Sequence, residues 1–382
     1  MSFGRKYGFI GVIALLLSQV ACSFSTSNME DPSELVNLDA SVRISETWRR
    51  FFSVDVDRST SIQPAITDSA VFTVDADGDL AAYERSRGDR IWARDIGMGI
   101  TAGLGLGESL MFAVTSDGEV IALSRQDGSI VWKQAVNSEV LAAPVVESGQ
   151  VIVQTVDGKL IALSEKTGAR NWIYQRSEPA LSVRGTSTPI VFQGVVVTGF
   201  GGGMLVAVKL DSGRLLWERP VSYPKGRNQV QRLADVDAPP LVAGIRMFAV
   251  NYQGKLVALN MRNGRESWSK SVSSVQAMSA DKINVYVSDE HGVVRAYDQE
   301  SGAVVWVQEK LRGRRLTGPA VAGNYIVAGD YDGYTHWLDS RDGSLVARHR
   351  VGVSAIVNQP ITSNDLLFVS NTDGDLAAIR WH

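Results

Sequence analysis

Short apolar segments alternate with polar turns along most of this chain, and helical periodicity is confined to the extreme N-terminus. The third repeat shows the pattern clearly. Its apolar segments span Ala143–Val146, Gln150–Val156, Lys159–Ser164 and Ala169–Tyr174. The second and third segments are joined at Asp157 and Gly158, a pair that tolerates the positive φ of a tight hairpin. Four short antiparallel strands with tight turns are typical of one blade of a β-propeller.

Two glycines and a tryptophan recur at constant spacing within these units. The first glycine lies in the hairpin turn and stands at Gly78, Gly118, Gly158, Gly203, Gly254, Gly292, Gly333 and Gly374. The second follows ten residues later, at Gly88, Gly128, Gly168, Gly213, Gly264, Gly302 and Gly343. Tryptophan follows four residues after that, at Trp92, Trp132, Trp172, Trp217, Trp268 and Trp306, whereas the seventh unit has Ala347. A unit of about 40 residues repeated eight times predicts a repeat architecture.

The third strand of each unit is apolar on both of its faces. Alanine stands four residues after the first glycine in seven units, and Trp337 is the exception. The opposite face is largely apolar too, as at Ile121 and Leu123, because side chains alternate along a strand. We expect such a strand to be covered on both sides, as it is when each sheet lies between two neighbouring blades of a ring.

The eighth unit ends at Trp381 and His382, one strand short of a complete blade. We predict that the segment Val42–Val54, which contains Trp48, supplies the missing outer strand. Such closure removes a free sheet edge and ties the two ends of the ring together. The predicted fold is therefore all-β, an eight-bladed β-propeller of four-stranded antiparallel blades whose last blade is closed by an N-terminal strand.

The N-terminus carries features of an export signal. Arg5 and Lys6 precede the apolar segment Tyr7–Leu17, which is too short to span a bilayer, and the chain's single cysteine follows at Cys22. This arrangement resembles bacterial lipoprotein signals, although Gln19 stands where those signals usually have leucine. An ordinary secretory signal is the alternative. We predict a signal peptide over residues 1–21, a lipid anchor at Cys22 with a flexible tether over 22–41, and the propeller over 42–382.

The composition and motifs indicate little catalytic chemistry. A net charge of −3 and a pI of about 5.9 exclude a basic nucleic-acid footprint. The four histidines have no partner at metal-ligand spacing and are interpreted as surface or turn residues, and a lone cysteine excludes disulfides within the chain. The segment Asp75–Asp79 is similar to the start of a calcium loop, but it coincides with the repeated hairpin turn. We therefore predict no catalytic residues, no metal and no cofactor.

The repeat itself resembles the tryptophan-docking repeat of pyrroloquinoline-quinone-dependent dehydrogenases, as in the segment Glu165–Trp172. That resemblance implies an alternative function, a periplasmic quinone-dependent dehydrogenase. Those enzymes bind the quinone with a calcium ion, and many stack it on a disulfide between adjacent cysteines. This chain has no such cysteine pair and no convincing acidic calcium set, and a shared fold does not by itself imply a shared function.

Two repeats are longer than the others. The steps from Gly158 to Gly203 and from Gly203 to Gly254 exceed the usual spacing, and the extra residues follow Trp172 and Trp217. Insertions in repeat proteins map to loops on one face, often the binding face. The first loop contains Leu181, Val183 and Arg184, and the second contains Asp235 and Asp237. We predict that both loops form a partner surface, although the arginine and the aspartates could instead pair with each other.

These loops carry the most specific resemblance in the chain. The segments Leu181–Gly185 and Arg232–Asp237 are similar to motifs of the BamB family, the propeller lipoproteins of the bacterial outer-membrane β-barrel assembly machinery. In that family the loops contact the POTRA domains of BamA. The resemblance implies that the residues at the matching motif positions make this contact, namely Leu181, Val183, Arg184, Asp235 and Asp237. Val183 is a conservative difference, because the family has leucine at that position.

The resemblance covers essentially the whole chain and implies a non-enzymatic scaffold in the outer-membrane assembly complex. The lipoprotein-like signal, with Ser23 after the cysteine, implies an outer-membrane location facing the periplasm through a lipid anchor. Unfolded outer-membrane protein precursors are a further candidate partner.

Overall fold

In the part of the chain that the structure describes, thirty-two β-strands in eight antiparallel sheets of four strands form the ring. The computed structural model describes residues 30–52, 62–177, 187–222 and 235–382. Within those ranges all the regular secondary structure is β-strand, and each sheet is one blade. The predicted eight-bladed β-propeller is therefore confirmed.

The strands follow one another from the inner to the outer edge of each blade. Blades one and two contain β2 (Ala65–Ile66), β3 (Ala70–Val74), β4 (Asp79–Glu84), β5 (Arg90–Asp95), β6 (Ile100–Leu106), β7 (Leu110–Thr115), β8 (Glu119–Ser124) and β9 (Ile130–Ala135). Blades three and four contain β10 (Val145–Glu147), β11 (Gln150–Gln154), β12 (Lys159–Ser164), β13 (Arg170–Gln175), β14 (Ile190–Phe192), β15 (Val195–Phe200), β16 (Met204–Lys209) and β17 (Leu215–Pro220). Blades five and six contain β18 (Leu241–Ala243), β19 (Arg246–Val250), β20 (Lys255–Asn260), β21 (Glu266–Ser271), β22 (Ser279–Ala280), β23 (Asn284–Ser288), β24 (Val294–Asp298) and β25 (Val304–Gln308). Blade seven contains β26 (Ala320–Ala322), β27 (Tyr325–Gly329), β28 (Tyr334–Asp339) and β29 (Leu345–Arg350), and blade eight contains β30 (Ile361–Ser363), β31 (Leu366–Ser370), β32 (Asp375–Trp381) and β1 (Ile44–Phe51).

The turn between the second and third strands of a blade lies on the same face of the ring as the connection to the next blade, because both follow an even number of strands. We call this side the loop face. The turn between the third and fourth strands lies on the opposite face. The hydrophobic core is divided among the blade boundaries, where apolar side chains from two neighbouring sheets meet.

The recurring tryptophan seals each boundary by packing on the glycine of the following blade. A Cβ atom added to Gly88, for example, would lie 2.6 Å from Cδ2 of Trp48. The indole N–H donates to a backbone carbonyl three residues before that glycine, as from Trp48 to Arg85 at 2.8 Å. Across the described residues seven boundaries share this packing, with the pairs Trp48–Gly88, Trp92–Gly128, Trp132–Gly168, Trp172–Gly213, Trp217–Gly264, Trp268–Gly302 and Trp306–Gly343. The repeated spacing therefore encodes contacts between blades.

The boundary between blades seven and eight uses a different arrangement. In blade one Ala82 stands opposite Trp92 on the neighbouring strand, whereas in blade seven Trp337 stands opposite Ala347, so the two side chains have exchanged strands. Trp337 is fully buried, with its ring centroid 5.7 Å from that of Trp381. The exchange has a structural reason, because β32 and β1 come from opposite ends of the chain and leave no connecting turn on which a tryptophan could pack.

The N-terminal strand closes the ring as predicted. β1 pairs antiparallel with β32 and places Trp48 opposite Ala378, which is the alanine–tryptophan pairing of blades one to six. The strand occupies Ile44–Phe51, within the predicted segment Val42–Val54. The predicted signal peptide and Cys22 lie outside the described residues, so the domain boundaries remain predictions.

Candidate partner-binding surface

The two long connections leave neighbouring blades on the loop face. The first joins β13 to β14, and the second joins β17 to β18. The structure describes the stems of these loops, residues 176–177 and 187–189 in the first and 221–222 and 235–240 in the second. Leu181, Val183 and Arg184 lie outside the described residues, whereas Asp235 and Asp237 lie within them.

A chain of buried polar side chains joins the ends of the two loops. Gln154 of β11 donates to the carbonyl of Gly199 at 2.7 Å, and its amide oxygen accepts from the hydroxyl of Thr198. Ser187, at the end of the first loop, donates to the carbonyl of Ala238 in the second loop at 3.3 Å. Buried polar groups are costly unless they are paired, so these bonds hold the two stems in one relative position.

Asp235 is buried and caps a turn in blade four. In most blades the residue three positions before the first glycine performs this task, as Asp75 does by accepting the N–H groups of Asp77, Gly78 and Asp79. Blade four has Phe200 at that position, and the carboxylate of Asp235 accepts the N–H of Gly202 instead, at 2.8 Å. The second loop therefore supplies an acceptor that the blade itself lacks.

Close backbone contact seats the same end of the second loop. A Cβ atom on Gly199 would lie 2.2 Å from the carbonyl oxygen of Val236, so only glycine allows this approach. Gly199 is thus needed for packing between blade four and the second loop. In blade one, the carboxylate of Asp75 caps the hairpin turn, so the prediction that Asp75–Asp79 is a turn is confirmed.

The outer strands of blades three and four are also joined at the start of the first loop. Arg176 lies 2.7 Å from the carboxylate of Glu218, and both side chains are partly exposed. At the start of the second loop, Asn251 donates to the hydroxyl of Ser222 at 2.6 Å. Asp237, two residues beyond Asp235, is half-buried. Both stems are therefore attached at each end to the ring.

A groove of about 710 Å³ lies between β17 and β21, below the stem of the second loop. Its charged lining residues are Arg219, Lys255, Arg265, Glu266 and Lys270, and Val221 and Ser222 lie at its upper end. Lys255 pairs with Glu266 at 2.9 Å. The groove extends the candidate surface with a mostly basic wall.

Sequence reasoning missed the stem network and the role of Asp235. Gln154, Thr198 and Ser187 have no motif that would mark them, since they meet only after blades three and four have assembled. One signal was present, because Phe200 breaks the run of polar residues at the turn-capping position. That break indicates that another segment must supply the acceptor.

The histidine interpretation was wrong for His336. This side chain is fully buried in β28, where its Nε2 lies 2.7 Å from Asp330, so it is a core residue rather than a surface or turn residue. Within the described ranges, no three His, Cys, Asp or Glu side chains converge in a way that could hold a metal ion. No helix in those ranges is long and apolar enough to cross a membrane.

Comparison with known proteins decides the family. A family model described as outer membrane protein assembly factor BamB matches residues 76–308 and 290–381. The chain belongs to the BamB family. It is 50% identical over 320 residues to the BamB of Alkalilimnicola ehrlichii, covering 84% of each chain. The crystal structure of BamB from Moraxella catarrhalis has a TM-score of 0.81 at 26% identity, covering 88% of this chain and all of that one.

Membership of the BamB family confirms the predicted family and places the chain among assembly factors, which are not enzymes. A quinohemoprotein alcohol dehydrogenase from Comamonas testosteroni has a TM-score of 0.72 at 14% identity, over 88% of this chain and 76% of that one. Identity this low shows a shared fold alone. The resemblance of the repeat to quinone enzymes therefore reflects propeller architecture.

Proposed function

We propose that the protein is a non-enzymatic scaffold lipoprotein of the outer-membrane β-barrel assembly complex that binds the POTRA domains of BamA. The docking surface is formed by the two long loops, with Leu181, Val183, Arg184, Asp235 and Asp237. Two buried bonds carry this proposal: Ser187 to Ala238, which joins the two loop stems, and Gly202 to Asp235, which holds the second stem on blade four. These loops are also where the chain departs most from its repeat.

Rigid stems favour binding because they reduce the conformational entropy that a loop loses when it docks. Asp235 contributes by position, since its buried carboxylate holds the second loop against blade four. Arg184 is suited to direct contact, because arginine is enriched among the residues that dominate interface energy. Leu181 and Val183 alternate with a serine, as they would in an extended segment docked against a partner's sheet edge.

Attachment through Cys22 would place this scaffold at the inner face of the outer membrane. A diacylated cysteine with a further acyl chain provides stable anchoring, because more than one chain is needed for that. The ring would then face the periplasm, where the POTRA domains of BamA and unfolded barrel precursors are accessible.

The test is binding of the full-length protein to the purified POTRA segment of BamA from the same organism. We expect Arg184→Glu and Asp237→Arg each to weaken binding by at least about tenfold, since unpaired interface charges cost about 2 kcal/mol or more. Asp117→Arg is the matched control, because Asp117 is exposed on the same face in blade two.

Circular dichroism of each variant is the check that the ring remains folded. Unchanged affinity in both Arg184→Glu and Asp237→Arg would refute the proposed surface. Equal loss in Asp117→Arg would show that the general charge of the face, rather than the two loops, governs binding.

A further inference from the structure

Residues 30–41, which we call the N-terminal arm, lie along the outside of blade seven. Ser33 donates its N–H to the carbonyl of Arg312 at 2.8 Å, and Ser41 donates to the carbonyl of Val346 at 2.9 Å. Between them, Arg348 donates from its guanidinium to the carbonyl of Val36 at 3.2 Å. Three backbone positions spread along the arm are therefore bonded to the ring.

These contacts define the direction of the arm. Arg312 belongs to the connection between β25 and β26, so Ser33 lies at the loop face. Val346 lies near the start of β29, at the opposite face, and Arg348 lies between the two. The chain thus descends along blade seven from residue 30 to residue 41, turns, and returns toward the loop face as β1.

Charge complementarity supports the docked position. The arm carries acidic residues at Glu30, Asp31, Glu34 and Asp39. Glu30 lies 3.8 Å from the guanidinium of Arg312 and 3.5 Å from the imidazole of His291. Exposed ion pairs are individually weak, so they guide the arm rather than hold it.

A preorganised donor holds the loop-face end. Arg314 is almost fully buried and is bonded to Asp330 at 2.7 Å and to Asp332 at 2.8 Å. A remaining N–H of the same guanidinium donates to the carbonyl of Ser33 at 3.1 Å. Because Arg314 is already immobilised by two carboxylates, this bond costs little side-chain entropy.

The backbone of the ring is also shaped to receive the arm. At Gly313 an added Cβ atom would lie 2.5 Å from the carbonyl oxygen of Asp31 and 2.8 Å from Cα of Pro32. The arm and the connection between blades six and seven therefore touch backbone to backbone.

From these contacts we infer that the arm is a docked strap that shortens the link between the ring and the membrane. An undocked chain from Cys22 to Ile44 could span about 75 Å, whereas the segment from Cys22 to Glu30 can span only about 28 Å. The strap therefore holds the loop face close to the lipid anchor at the boundary between blades six and seven. The partner surface, formed by the connections between blades three, four and five on the same face, then lies two to three blades further around the ring from that edge. The membrane part of this inference rests on the proposed lipidation of Cys22.

Hydrogen exchange of the full-length lipidated protein tests the docking directly. We expect the amides of Ser33 and Ser41 to exchange at least about tenfold more slowly than those of an unstructured chain. Ser33→Pro removes the N–H that donates to the carbonyl of Arg312, and Arg312→Glu removes the ion pair with Glu30. The double variant should also lose protection from exchange at the amide of Ser41. Asp39→Pro is the matched control, since Asp39 is exposed and its N–H makes none of the bonds named above. Unprotected amides in the wild-type protein would overturn the inference.

Energy transfer to labelled lipids tests the orientation. With Cys22 acylated, a new cysteine is the only free thiol, so a donor dye can be placed at Lys310→Cys on the loop face or at Glu300→Cys on the opposite face of the same blade. In phosphatidylethanolamine–phosphatidylglycerol vesicles we expect stronger transfer from position 310, and loss of that difference in the Ser33→Pro, Arg312→Glu variant. Equal transfer in the wild-type protein would overturn the inference.

Failure to associate with vesicles would overturn the lipidation and the membrane part together. Binding to the POTRA segment is measured without vesicles. Absence of that binding in the wild-type protein would therefore count against the proposed function alone.

Discussion

Replacing Gly88 with alanine tests whether the tryptophan at each blade boundary contributes to closing the ring. Gly88 has a φ of +68°, and an added Cβ atom would lie 2.6 Å from Cδ2 and 2.9 Å from Cε3 of Trp48. Trp48 is buried and belongs to the N-terminal strand that completes blade eight. The substitution therefore acts on the boundary where the two ends of the ring meet.

Gly149 provides the matched control. Its φ is +75°, and no atom lies within 4 Å of its added Cβ, so Gly149→Ala reports the backbone cost alone. That cost is about 1–2 kcal/mol for a residue other than glycine. Gly88→Ala adds the displacement of a packed indole, about 1–3 kcal/mol, and strain on the bond from Trp48 to Arg85, about 1 kcal/mol. We therefore expect Gly88→Ala to lose about 2–4 kcal/mol more stability than Gly149→Ala.

The free energy of unfolding is measured by urea denaturation, followed by far-ultraviolet circular dichroism. The double variant Gly88→Ala, Trp48→Leu should lose less than the sum of its single variants, because the smaller side chain relieves the clash. Equal losses in Gly88→Ala and Gly149→Ala, or strict additivity in the double variant, would refute the idea that this packing closes the ring.

Three further expectations follow from the same structure. Trp337→Ala should lower the free energy of unfolding by about 3–5 kcal/mol in urea titration, because the side chain is fully buried, and a loss below about 1 kcal/mol would contradict its role between blades seven and eight. Burial lowers the pKa of His336, although the neighbouring Asp330 acts in the opposite direction. Below about pH 6.5 the unfolded chain therefore binds a proton that the folded protein does not, and the free energy of unfolding should decrease as the pH falls below that value. His336→Gln should flatten that dependence in denaturation at pH 7.5 and 5.5, and an unchanged slope would exclude His336 as the source. Asp235→Ala should cost about 1–3 kcal/mol and raise hydrogen exchange at Gly202, and unchanged exchange there would show that the cap is dispensable.

Local sequence patterns were sufficient to predict the blades. The strand Lys159–Ser164 was predicted with the bounds that the structure shows, because apolar alternation and an Asp-Gly turn act over neighbouring residues. The closing role of Trp48 was also predictable, because the eighth unit lacked a strand. The exception at Ala347 was visible in the sequence, but its explanation required the structure, in which Trp337 occupies the facing strand.

The candidate surface was predictable only in outline. Two overlong repeats located the loops, whereas the burial of Asp235 and its bond to Gly202 were not foreseen. The carboxylate and its N–H partner belong to different segments, and no local rule relates them. The same reason applies to the arm, whose polar composition indicated a flexible tether although residues 30–41 contact blade seven.

The sequence by itself determined the eight-bladed ring, its N-terminal closure and the position of the two long loops, because each depends on short-range periodicity or on a count of repeats. Only the tertiary structure decided which side chains hold those loops, how blades seven and eight join, and where the chain leaves the ring. Those features depend on contacts between residues far apart in the chain, such as Arg314 with Ser33, which become defined only when the ring has closed.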